Sequence, residues 1–102
     1  MREFNKLVRD KIPSIIEKEG RKVNIKELTN DEYKKELNKK LQEEIKEYFE
    51  DNNVEELADI VEVIYGIVKS MGLSIEEFEK IRLEKVEKRG AFDNKTYLIS
   101  SD

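Results

Sequence analysis

Neither cysteine nor histidine occurs anywhere in the 102 residues, and proline occurs once. Their absence excludes disulfides, thiolate nucleophiles, zinc sites of the common kinds and imidazole acid/base chemistry. Any catalysis must run on carboxylates, amines or a metal. Long apolar runs are missing too. No stretch approaches the ~18 apolar residues of a membrane span, and the opening MREFNKLVRDK has no secretory apolar core, so a cytoplasmic protein without membrane contact is expected. Only four glycines are present, three of them where helices should stop: Gly20, Gly72 and Gly90.

Charge dominates what is there. Charged residues make up 43% of the chain against 37% hydrophobic, a balance that would suit disorder if the apolar residues were scattered. They recur with helical period instead, and the length suits one domain covering 1–102. Proline in a first turn predicts a short helix over Ile12 to Glu19, after an extended arm at Asn5 to Arg9 and before a connector at Arg21 to Leu28. Three capping patterns follow. Thr29 with Glu32 opens a long helix to about Glu50, Asn53 with Glu56 a second over Val54 to Met71, and Ser74 with Glu77 a third to about Lys88. In the tail, Thr96 to Ile99 reads as a short strand or a packed coil. The expected fold is all-α, an antiparallel helical bundle, because the break at Asn52 and Asn53 is too short for anything but a hairpin of helices.

The net charge of −4 is unevenly spread: Gln42 to Glu62 holds nine acids and one base, Lys46. Such a centre repels nucleic acid polymers and suits a phosphate ligand bridged by metal. At helical spacing Glu44 falls inside the apolar stripe of Leu37, Leu41, Ile45 and Tyr48, and Glu47 lies at its edge one turn on. A carboxylate on a buried face is costly unless it is paired or coordinates a metal. Glu56 and Asp59 repeat the three-residue spacing on the next helix, so a hairpin brings Glu44, Glu47, Glu56 and Asp59 to neighbouring levels. Four anions there need a cation, and oxygen ligands alone select magnesium, with manganese as the alternative. The bland reading is a solvated acidic face, with Lys40 neutralising Glu44 from four residues away. Lys40 cannot neutralise four carboxylates.

The pattern Glu43-Glu44-x-x-Glu47 followed by Glu56-x-x-Asp59 resembles the signature of the MazG-like all-α nucleoside triphosphate pyrophosphohydrolases, a superfamily that includes phosphoribosyl-ATP pyrophosphohydrolase and the dimeric dUTPases. The run Asn5 to Pro13 and the closing Lys85-x-x-Lys88-Arg89-Gly90-x-Phe92 are similar to its small phosphoribosyl-ATP pyrophosphohydrolase-like, house-cleaning branch. The resemblance implies magnesium-dependent hydrolysis of a nucleoside triphosphate between the α and β phosphates. By it Glu44, Glu47, Glu56 and Asp59 match the metal ligands. Glu43 matches a position behind the ligands or one that orients water, and Glu43 and Glu47 are the catalytic candidates. Glu62 continues the series but points to solvent.

Basic groups should face the phosphates. Lys6, Arg9 and Lys11 in the arm, and Arg82, Lys85, Lys88 and Arg89 near the last helix's end, are the candidates; Arg82, Lys85 and Arg89 share a face and rank above Lys88. Their ordinary reading is a solvated end that complements the helix dipole. The Val54 to Met71 helix is apolar around most of its circumference, so either other helices of the chain or a second copy must cover it. The resemblance favours a homodimer or dimer of dimers completing the bundle. Tyr33, Tyr48, Phe49, Tyr65 and Phe92 are candidates to stack on a base, or simply core. Nucleotide-pool sanitation is the preferred role. Phosphoribosyl-ATP hydrolysis in histidine biosynthesis and a non-catalytic acidic interaction module are the alternatives.

Overall fold

The computed structural model describes residues 2–102, which form four helices and, among those residues, no strand. The fold is all-α. Helix α1 (Ile12–Lys18) carries proline in its first turn, where a missing N–H costs nothing. Helices α2 (Asn30–Asp51), α3 (Val54–Ser70) and α4 (Ile75–Arg89) begin at the three capping residues Thr29, Asn53 and Ser74. In α2 the Glu32 N–H donates to Thr29 Oγ1 at 3.2 Å, and the Thr29 N–H donates back to the Glu32 carboxylate at 3.0 Å. Ser74 and Glu77 make the same reciprocal pair, both bonds at 3.1 Å.

Asn52 and Asn53 make the turn between the two longest helices. Asn52 adopts the left-handed conformation, φ 50°, which asparagine tolerates better than most residues, and its N–H donates to the Tyr48 carbonyl at 2.8 Å. Asn53 is extended and its side chain starts α3. The chain therefore reverses within two residues, and α2 packs along α3. Gly66 sets how closely. A Cβ there would sit 3.0 Å from Leu37 Cδ2 and 3.6 Å from the Tyr33 hydroxyl, so α2 rests on the bare backbone of α3 at that level. Leu37 is accordingly one of two buried apolar side chains among the described residues, the other being Val68.

The rest is thinly covered. Helix α4 touches α3 alone, chiefly through Tyr65 stacked edge-on against Phe78 at 6.3 Å, and α1 contacts no other helix. Val54, Leu57 and Val61 of α3 and Ile81, Leu83 and Val86 of α4 stay exposed. The radius of gyration is 18.0 Å and the extents are 61 × 32 × 23 Å. A compact domain of this length has a radius of about 13 Å. Within one chain, α3's apolar circumference is left partly open.

The tail departs from expectation. Thr96 to Ile99 forms neither strand nor packed coil: Phe92, Tyr97, Leu98 and Ile99 are all exposed, with no neighbouring strand to pair with among the described residues. None of the helices is long and apolar enough to cross a membrane.

A side chain on Gly66 would place its Cβ 3.0 Å from Leu37 Cδ2, so buried Leu37 must shift to admit one. Gly66→Val is expected to lower the thermal melting point, at a cost of about 1–3 kcal/mol for overpacking. The helical content below the transition should be unchanged by circular dichroism.

Candidate metal centre

The register that sets Leu37 against Gly66 carries down the hairpin toward the Asn52 turn, and there it sets Glu44 against Asp59 and Glu47 against Glu56. The apolar seam thus becomes an acidic one within two turns of helix. Oxygens of Glu44, Glu56 and Asp59 lie within 4.8 Å of one another. Three oxygens on one magnesium at 2.0–2.1 Å would lie about 3 Å apart in cis positions and at most about 4.2 Å apart in trans, so the three side chains must draw in to chelate one ion.

Burial separates this cluster from a solvated acidic face. Glu44 is 7% exposed, and its Oε2 is buried with no hydrogen-bond partner. Glu56 Oε2 is likewise buried and unpartnered. Lys40 Nζ reaches Glu44 Oε1 at 3.5 Å and Glu43 at 3.9 Å, which leaves the second oxygen of Glu44 unanswered. Burial, then the proximity of Glu47, raises the pKa of Glu44, and Lys40 offsets this only in part. The same two causes push Glu56 up to about 7. Orphaned, desolvated carboxylate oxygens aimed at one point are what a hard cation would satisfy, so the residues present fit magnesium or manganese.

Helix capping makes the same distinction. In α2 and α4 the third-position glutamate turns back and closes its capping box. In α3 the Glu56 N–H still donates to Asn53 Oδ1, at 3.0 Å, but the Glu56 carboxylate does not return to the Asn53 N–H. It belongs to the cluster instead. The three patterns look alike in sequence, and only the facing helix tells the middle one apart.

The other candidates are spread out. Glu47 is exposed, outside the tight triad, yet close enough to Glu44 and Glu56 to share a proton with either. Glu43 is exposed beside Lys40, and Glu62 faces solvent as expected. Arg9 comes to the cluster: its Nη2 donates to Asp59 Oδ1 at 2.6 Å, across 50 residues of sequence. Spacing alone carries no sign of that pairing. Lys6 lies over the Phe4 ring, its Nζ 5.8 Å from the centroid. Arg82 is held by Glu79 through two bonds of 2.7 and 2.9 Å, at the rim of a hollow lined by Val61, Ile64, Tyr65 and Phe78. Lys85 and Arg89 project from the exposed half of α4 and make no ion pair among the described residues. Within one chain the α4 basic residues are not gathered on the carboxylates.

Comparison of the chain with family models, curated proteins and solved structures finds no match in any of the three.

The raised pKa of Glu56 fixes the sign of a pH effect. The folded state holds a proton that the unfolded state, with an ordinary value of 4.5, gives up, so stability falls as pH rises from about 4.5 to about 7 and stays reduced above that. Melting curves of the metal-free protein from pH 5 to 8 should show this decline. Glu56→Gln should flatten it and melt higher than the wild type at pH 8. Millimolar magnesium should reverse the trend in the wild type, since it binds the ionised form.

Proposed function

We propose that this chain is a magnesium-dependent nucleoside triphosphate pyrophosphohydrolase of the MazG-like kind, working as a homodimer or dimer of dimers. The observation that carries the reading is the orphaned Oε2 of the buried Glu44, beside Glu56 and Asp59. Lys40 answers only Oε1, and a buried carboxylate oxygen left without a partner destabilises the fold, so its presence supports a ligand there. The resemblance of the Glu43 to Asp59 pattern, and of the flanking basic runs, supplies the reaction class.

When bound, magnesium would polarise the phosphate oxygens and lower the pKa of attacking water, so that no histidine base is needed. Glu44, Glu56 and Asp59 would hold it. Glu47, solvent-accessible and next to the triad, accepts the proton as water attacks the α phosphorus, and Glu43 orients that water. The bond from the α phosphorus to the bridging oxygen breaks, and pyrophosphate leaves with the nucleoside monophosphate left behind. Arg9 already lies at the cluster, and Lys6 is on the same arm. Arg82, Lys85 and Arg89 serve the phosphates once a second copy is in place. Sanitation of the nucleotide pool is the role that suits a small enzyme of this kind.

The surface supports assembly. A chain of 12.1 kDa exposes 9522 Å², whereas a folded monomer of that mass exposes roughly 6,000 Å². The excess, roughly 3,500 Å² per chain, is more than the about 1,000–2,500 Å² that each partner gives to one obligate interface, so it leaves room for more than one contact with other copies. The open flanks of α3 and α4, with Val61, Leu83 and Val86, are where a second copy would pack.

Two measurements test the reading. Incubation with a panel of nucleoside triphosphates and magnesium should release pyrophosphate and monophosphate in equal amounts, and Glu44→Ala should lower the rate at least about 100-fold, more than loss of a supporting contact behind a metal. No release from the wild type, or full activity in Glu44→Ala, would overturn it. Sedimentation should give a mass of at least twice 12.1 kDa; a stable monomer would remove the dimer from the proposal.

A further inference from the structure

Two cations are already resident at the acidic cluster, and they differ in how they are held. Lys40 belongs to α2, four residues before Glu44, so its backbone stays beside the cluster whichever way its side chain turns. Arg9 belongs to the irregular arm before α1. Its guanidinium is 55% exposed and Asp59 is 38% exposed, so the pair is a weak, solvent-screened one despite its 2.6 Å separation. It nevertheless takes up Oδ1 of a residue that contributes to the chelating triad. A divalent ion ligated by Asp59 would lie within about 5 Å of that guanidinium, since a metal–oxygen bond of about 2.1 Å adds to the ion-pair distance. Positive charges that close repel, and the ion, held by three carboxylates, is the stronger ligand for Asp59.

We infer that Arg9 is an exchangeable placeholder for the metal: it pairs with Asp59 while the site is metal-free, and ion binding expels it together with the N-terminal arm. The inference rests on the metal reading given above and goes beyond it, because it makes arm position and metal loading two views of one equilibrium. Three unlike observations meet in it. The triad has an unpartnered Glu44 oxygen inside it, a fully ionised group from 50 residues away is bound to one of its members, and that group is carried on a segment outside the helices. Once released, the guanidinium is free at the edge of the site, where an incoming triphosphate can take it up bidentately. The arm would then dock with substrate, after the metal.

The test uses manganese alone, titrated calorimetrically into the full chain, together with the rate of tryptic cleavage after Lys6. Arg9→Gln removes the competing charge and should bind manganese about fivefold more tightly, the order expected for one unit charge at that separation in a wet site. Arg9→Lys keeps the charge and should stay within about twofold of the wild type by the same electrostatic argument. In the wild type, saturating manganese should speed cleavage after Lys6 several-fold. That measurement needs no variant. Equal or weaker manganese binding by Arg9→Gln, or cleavage that slows or stays the same when manganese is added, would overturn the exchange while leaving the metal site standing. A wild type that takes up no manganese at all would bring down the metal site as well.

Discussion

A carboxylate buried in the seam between two helices is the constraint around which this molecule is arranged. Glu44 sits where the stripe that began with Leu37 calls for an apolar side chain, and one of its oxygens has no partner. Removing a charge from water without compensation costs several kcal/mol. The neighbours show the metal-free chain accommodating it by three separate means: Lys40 on one oxygen, a raised affinity for protons at Glu44 and Glu56, and Arg9 on Asp59. Each is partial. A divalent cation would replace all of them at once, and that is the physical sense in which the site is specified without the ion.

The same hairpin explains why much apolar surface is left open within one chain. Gly66 lets α2 and α3 approach closely at one end, where Leu37 is buried. Toward the turn the seam is given over to acids, which add no hydrophobic stabilisation. One helix pair with half its seam charged buries little apolar surface, and α4, touching α3 alone, adds little. The apolar flanks of α3 and α4 stay open within one chain, and in the proposed assembly their burial against a second copy would offset the acids placed inward at the other end of the hairpin.

Much of the architecture was legible because it is local. Thr29, Asn53 and Ser74 stop and start helices through bonds that span three residues, and Gly72 and Gly90 end them with positive φ, so boundaries follow from the sequence to within a residue or two. The facing of Glu44, Glu56 and Asp59 was legible for the same reason, since a two-residue turn leaves the register little freedom. Other features depend on distant partners and carried no signal. Arg9 on Asp59 joins residues 50 apart, and the capping pattern at Asn53 hides that the Glu56 carboxylate turns away from its own helix. The tail misled for a related reason. Tyr97, Leu98 and Ile99 have the composition of a strand, but a strand needs a neighbour and the described residues offer none.

The placement of charge also bears on the order of events at the site. An acidic cluster with no resident cation would attract any divalent ion and would repel a triphosphate until one arrived. With Arg9 and Lys40 in place, the metal-free site is closer to neutral, and the protons held by Glu44 and Glu56 bring it closer still. Neutrality limits the self-repulsion of the hairpin, and so protects the α2–α3 pairing while the site waits. On the proposed function, ion entry would free the guanidinium beside the phosphoanhydride, a cation able to hold the departing charge, while Glu47 accepts the proton from water. On that reading Arg9 both stabilises the metal-free fold and serves the reaction.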